Sequence, residues 1–204
     1  MRILAIDTAT DESAVALLVD GRTVERPVTW RSAFRETAPA LLELLRRGGI
    51  GLGELDGIAV PAGPGSFTGL RVGAALALGI AELGAVPLSA PSTLAVVAEA
   101  AAPIGAGRVL ATLDARRGRR YAAVLERRGT VWALTDGPTD LEAGAEEGWA
   151  PGLPHARLET PRPGGSPAAA LARLVARAPD AYRLASPAEL RIVYARPATD
   201  RPAP

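Results

Sequence analysis

Cysteine, lysine, asparagine and glutamine are missing from the 204-residue chain, and histidine occurs once, as His155. Without cysteine there is no disulfide framework, no thiolate metal site and no sulfur nucleophile. Without lysine there is no Schiff base, and the G-x-x-x-x-G-K-[ST] phosphate loop is excluded. A solitary histidine cannot build a paired-histidine metal site. All 23 basic residues are therefore arginine. Carboxylates, hydroxyls, guanidinium groups, backbone amides and one imidazole remain, so no catalytic residue and no metal site is assigned. The net charge of +1 supplies no global field toward nucleic acid or an anionic membrane. The most lipid-like helical stretch, residues 72–81, is half the roughly 20 residues that span a bilayer. The N-terminal apolar stretch, residues 3–6, is too short for a signal peptide. The expectation is a soluble, cytoplasmic protein with no membrane partner.

What is present reads as mixed α/β. Residues 2–7 form a continuous apolar strand, residues 13–19 a second, and Asp20-Gly21 turns into a third over about 22–30. Ala38, Leu41, Leu42 and Leu45 recur at helical steps, which predicts an amphipathic helix over about 34–47, with Pro39 in its first turn and Gly48-Gly49 at its end. A strand over 56–62 leads to the loop Gly63-Pro64-Gly65-Ser66-Phe67-Thr68-Gly69 and a second helix over about 68–83. That helix is apolar nearly all round, which predicts burial on more than one face. Its residues Gly69, Gly73, Ala77 and Ala81 form a small-residue stripe able to admit another helix closely. A strand near 86–89 and a helix over about 91–101 complete the first half, and residues 103–107 read as a linker. The second half opens with a strand over 108–113 and a hairpin over 119–126 and 130–134. A short acidic helix over 140–147 and a proline-rich loop over 151–165 follow. Then come a helix from Ser166-Pro167 to about 178 and a terminal strand and tail. No internal repeat is evident. The division expected is 1–104 and 105–204.

Three segments have residues suited to chemistry. The 63–69 loop leads from a strand into a helix N-terminus, where amides and the helix dipole favour an anion. Ser66 and Thr68 add hydroxyls, and Arg71 adds charge one turn on. Gly63, Gly65, Ser66, Thr68 and Arg71 are thus anion-binding candidates. The alternative is a tight turn in which glycine supplies an unusual backbone angle and a hydroxyl caps the helix. Asp7-Thr8-Ala9-Thr10 ends the first strand. Asp7 and Thr8 suit a metal-bound phosphate chain, or else Asp7 bonds its own turn amides. From Asp114 to Arg128 there are six arginines and two acids, and from Asp136 to Glu147 five acids and no base. The first run is either an edge for RNA or an acidic partner, or a solvated hairpin partly neutralised by the second. His155, between Pro154 and Ala156, reads as a surface histidine.

Met1-Arg2-Ile3-Leu4-Ala5-Ile6-Asp7-Thr8-Ala9-Thr10, Gly63 to Arg71, Pro91-Ser92-Thr93-Leu94 and Asp114-Ala115-Arg116, in this order and spacing, resemble the bacterial TsaB family, also called YeaZ. The resemblance covers about residues 1–126. It implies an actin-like, Hsp70-like (ASKHA) two-lobed fold of mixed sheets with flanking helices. It also implies a non-catalytic partner subunit in tRNA threonylcarbamoyladenosine synthesis. Such a subunit pairs with a TsaD-like transferase, works with a TsaE-like ATPase and meets tRNA indirectly. It needs no cofactor of its own, since ATP and Mg act at the partner subunits. The family's pairing surface lies on the two helices matching 34–47 and 68–83. Leu41, Leu45, Gly69, Gly73, Leu76, Ala77 and Ile80 are its candidates here, with a homodimer possible in isolation. Two segments depart from the family: Phe34-Arg35-Glu36-Thr37 lacks a common histidine, and Arg119-Arg120 stand where an acid and an apolar residue are usual. The alternative is a small nucleotide-dependent phosphotransferase of the same fold class.

Overall fold

The computed structural model describes residues 1–158 and 165–197. Its first sheet grows from the N-terminal apolar run. Strand β1 (Arg2–Asp7) is buried on both faces, pairs antiparallel with β2 (Ala14–Val19), and β2 pairs antiparallel with the exposed edge strand β3 (Arg22–Pro27). Two short strands, β4 (Gly57–Ala59) and β5 (Leu88–Ser89), add in parallel on the other side of β1, giving the order β3-β2-β1-β4-β5. Helices α1 (Ala33–Gly48) and α2 (Phe67–Gly84) cover one face of this sheet, and α3 (Thr93–Ala101) closes the first half.

The second sheet repeats the plan. β6 (Arg108–Arg116), β7 (Arg119–Arg128) and β8 (Val131–Glu142) form an antiparallel meander. After the single turn of α4 (Glu146–Trp149), β9 (His155–Arg157) lies parallel beside β6. Helix α5 (Pro167–Arg177) follows, and β10 (Arg196–Pro197) pairs with β8 to give β10-β8-β7-β6-β9. A meander followed by a parallel strand beside its first member therefore occurs twice. No repeat is legible in the sequence, because the duplication is one of strand direction and neighbours, which leaves no periodic residue signature.

The halves share one core. Ile3, Ala5, Ala14, Ala16 and Leu18 on one face of the first sheet join Val109, Ala111, Leu113, Ala123 and Leu125 on the second through α3 and α5. Helix α5 lies on β1 and β2, although it comes from the second half of the chain, and α3 lies on β6 and β9. The alanines of α5 meet the alanines of β1 and β2, and these small side chains allow helix and sheet to approach closely. The opposite face of the first sheet, with Leu4, Ile6, Val15 and Leu17, packs on Leu41, Leu44 and Leu45 of α1 and Ala77, Ile80 and Ala81 of α2. A cut at 104/105 thus separates the sheets but not the cores.

Several expectations need correction. Pro39 lies in the second turn of α1, where its nitrogen cannot donate to the Arg35 carbonyl. The buried stripe of α1 is Ala33, Thr37, Ala40, Leu41, Leu44 and Leu45, and Leu42 is exposed. Residues 140–142 belong to β8 and the acidic helix shrinks to Glu146–Trp149, because pairing with Arg119, Arg120 and Tyr121 outweighs weak local helix preference. The proline-rich loop contains β9, while residues 159–164 and the tail at 198–204 fall outside the described residues. Helix α2 is 18 residues long with mean hydropathy 1.3, so by length and composition it could cross a membrane, unlike the ten-residue stretch expected. Its inner stripe is nevertheless packed on the sheet, and its outer face is open rather than doubly buried.

Candidate functional site

The glycine loop is built against the end of β1. Asp7 is fully buried; its Oδ1 accepts from the Ala9 amide at 2.8 Å and the Thr10 amide at 3.3 Å, and its Oδ2 faces the Thr10 hydroxyl at 3.5 Å. Burial pushes its carboxyl up to about 6, partly offset by these hydrogen bonds. The buried Thr8 hydroxyl donates to the Gly69 carbonyl at 2.6 Å. A Cβ on Gly69 would overlap the Thr8 carbonyl oxygen, and one on Gly73 would stand 2.6 Å from the Thr8 hydroxyl. The Ser66 amide donates to the Ala9 carbonyl at 2.8 Å, and a Cβ on Gly65 would stand 2.6 Å from that same oxygen. Ser66 Oγ caps α2 by accepting from the Gly69 amide at 3.2 Å. Gly63 has φ +105°, and a Cβ there would strike the Val193 carbonyl. Its own carbonyl accepts from the Thr93 amide at 2.9 Å.

The close approaches at Gly63, Gly65 and Gly69 are thus made by the protein's own backbone, and of the two readings of this loop the tight turn describes it. Asp7 has no face open to a phosphate. Arg71 points elsewhere: its guanidinium lies 3.8 Å over the Phe67 ring, on the outer face of α2, where Thr68 is also exposed. The seven anion-binding candidates are dispersed. Asp7 and Thr8 are sealed, Gly63 is packed on residue 193, Gly65 and Ser66 reach a cleft between the sheets, and Thr68 and Arg71 face away from it.

That cleft has a volume of about 660 Å³ and is bounded by Asp11, Ser66, Asp114, Arg116, Tyr121 and Tyr194. Its charges are neutralised internally. The Arg116 guanidinium pairs with Asp11 and lies 3.9 Å from Asp114, whose Oδ1 accepts from the Arg116 amide at 2.8 Å. Arg120 meets buried Glu146 at 2.9 Å, and Arg119 meets Asp140 at 2.7 Å. Arg127 lies 3.6 Å from Glu99 and stacks 4.4 Å over Trp132, and Arg128 pairs with Glu126 at 2.9 Å. The arginine run therefore forms a hairpin on which Arg116, Arg119, Arg120, Arg127 and Arg128 are met by carboxylates along and beside it, while Arg117 is exposed at the turn. His155 is half-buried on β9, its Nε2 3.3 Å from Glu147.

The open feature is the outer face of α2. Phe34 is 81% exposed, Phe67 55% and Leu83 86%, which is unusual for such side chains when they have no partner. A groove of about 450 Å³ runs between Phe34 and Phe67 over Arg71, Val72, Ala75 and Leu76. Of the interface candidates only Leu76 reaches it. Leu41, Leu45, Gly69, Gly73, Ala77 and Ile80 are buried against the sheet. The small-residue stripe lets α2 close on β1 and is not available to another chain. Phe34, Phe67 and Ala75 are not among the interface candidates the sequence suggests; the signal available for the first two is an aromatic side chain at the start of each amphipathic or apolar helix.

Two sheets of one plan, sharing a core through exchanged helices, define an actin-like two-lobed protein whose glycine loop is closed. A family model described as "TsaD: tRNA N6-adenosine threonylcarbamoyltransferase" matches residues 27–140. The chain is 40% identical over 135 residues to the tRNA threonylcarbamoyladenosine biosynthesis protein TsaB of Escherichia coli K12, a stretch covering 65% of this chain and 58% of that protein. It is 33% identical over 128 residues to the protein of the same name from Bacillus subtilis 168, covering 62% of this chain and 56% of that one. Among solved structures, YeaZ from Pseudomonas aeruginosa superposes with a TM-score of 0.73 at 28% identity, covering 95% of this chain and 99% of that chain. The chain belongs to the TsaD-type family, in its TsaB (YeaZ) branch. The aligned stretches span a little over half the length of these curated relatives.

Proposed function

We propose that the chain is a partner subunit in tRNA threonylcarbamoyladenosine biosynthesis, docking a TsaD-type transferase on the outer face of α1 and α2 without performing the transfer itself. The observation that carries this reading is the groove beside Phe34 and Phe67, an apolar surface on a chain related to proteins named for that pathway. Burying such a surface is worth about 25 cal/mol per Å² of apolar area removed from water. The sealed Asp7 and the self-occupied glycine loop fit a subunit that has kept the fold without an open phosphate site. In this reading ATP and Mg act at the partner subunits, a TsaE-like ATPase completes the assembly, and tRNA is met through the transferase. The work is done in the cytoplasm, and the same face pairs two copies when the transferase is absent.

Ala75 lies exposed in the groove and gives a clean test. Ala75→Arg is expected to abolish co-elution with the TsaD-type transferase in gel filtration and to remove tRNA modification in a reconstituted assay, with the melting temperature unchanged. Undiminished complex formation would overturn the assignment of this face. Ala77→Arg cannot serve, because Ala77 is fully buried and an arginine there would disrupt the core.

A further inference from the structure

After α5 the chain turns back and crosses both sheets. The Tyr182 carbonyl accepts from the Ala90 amide at 2.9 Å, and the Leu184 amide donates to the Leu88 carbonyl at 2.9 Å, so the segment lies along the edge of the first sheet. Leu184 and Leu190 pack on the core beneath α1 and α2. The Val193 amide then donates to the Ala62 carbonyl at 2.7 Å, and the Val193 carbonyl fills the space in front of Gly63. Residues 196–197 end on β8 of the second sheet. Residues 182–197 thus form a strap over the root of the glycine loop.

Between those anchors stands Tyr194, with its ring centroid 5.9 Å from that of Phe67 and tilted by 35°. Phe67 borders both the interlobe cleft and the outer groove, and Arg71 lies over its ring as well. Tyr194 is 52% exposed and Phe67 55% exposed, so the pair contributes little to the core. What it does is place a second ring beside an exposed aromatic at the mouth of the groove. A large side chain held in its bound rotamer loses less entropy on docking.

We propose that the strap is a positioning element for the docking face, with Tyr194 holding Phe67 and, through it, Arg71 in the arrangement the partner subunit meets. This rests on the reading of the outer α2 face as the partner site. It makes Tyr194 a positioning residue. It also gives the C-terminal strap a part in assembly, although most of its length lies away from the groove.

The test measures the dissociation constant of the full chain with the TsaD-type transferase by calorimetry, for Tyr194→Ala, Tyr194→Phe and Ala75→Arg. Tyr194→Ala is expected to weaken binding about tenfold with an unchanged melting temperature, and Tyr194→Phe, which keeps the ring, to restore it. A purely structural role for the strap would lower the melting temperature of Tyr194→Ala without rescue of affinity by the phenylalanine. If Ala75→Arg abolishes binding while Tyr194→Ala leaves it unchanged, the positioning role is overturned and the docking face stands. If neither variant affects binding, the docking face itself is wrong.

Discussion

Asp7 is a carboxyl with no cationic partner among the described contacts, sealed under its own turn and pushed up to about 6 from an ordinary value of 3.8. Burial disfavours the carboxylate, and the Ala9 and Thr10 hydrogen bonds offset only part of that. The sign of the linkage follows. Between about pH 4 and pH 6 the folded chain keeps a proton that the unfolded chain has released. The stabilisation is fully present below the unfolded value and is lost as pH rises through the folded one. The whole shift corresponds to about 3 kcal/mol. Urea denaturation is therefore expected to show the wild-type chain more stable at pH 5 than at pH 7.5 by about 1 kcal/mol from this group. Asp7→Asn, which keeps an oxygen for the two amides, should remove that component. An identical pH slope in the two proteins would show that Asp7 does not titrate in this window.

At the scale of the element, α2 holds two kinds of glycine. Gly69 has the Thr8 carbonyl where a side chain would begin, whereas Gly79, in the same helix, has nothing within 4 Å. Gly69→Ala must push the helix off β1 and should destabilise by at least the roughly 1–3 kcal/mol of an overpacked core. Gly79→Ala should stabilise by about 0.5–1 kcal/mol through helix propensity alone. Chemical denaturation of the pair checks this, and equal effects would contradict the close approach of α2 to β1. The same helix shows what could be read beforehand. Apolar period places α1 and α2, and a capping serine places α5, within a residue or two, and Ser166 accepts from the Ala169 amide as an N-cap should. The small-residue stripe of α2 was visible too, but a stripe does not say which neighbour it admits, and the neighbour proved to be β1. The acidic run over 140–147 reads locally as one helix, but its first three residues pair with β7, a partner that local propensity does not show. The glycine loop was correctly located, and its two readings could be separated only once Ala9, Thr8 and Val193 were seen to fill the spaces in front of its glycines.

For the whole molecule, the organising fact is that each half lends a helix to the other's sheet. The face of the first sheet bearing Ile3, Ala5, Ala14, Ala16 and Leu18 is closed with the help of α5, which starts at Pro167, well beyond the linker at 103–107. Residues 1–104 expressed alone should therefore fail to fold cooperatively. Calorimetry is expected to show no unfolding transition for this fragment and a single one for the full chain, and a cooperative melt of 1–104 would refute the shared core. Neither this exchange nor the twofold β-meander was legible in the sequence, since both are matters of which nonlocal surfaces meet. The exchange also bears on how the protein is made. During translation the first sheet leaves the ribosome with one alanine-lined face uncovered, and α5 does not emerge until the second sheet has been synthesised. The nascent chain carries an adhesive surface from the completion of the first sheet until α5 emerges, and that helix arrives as the stopper that ends the exposure.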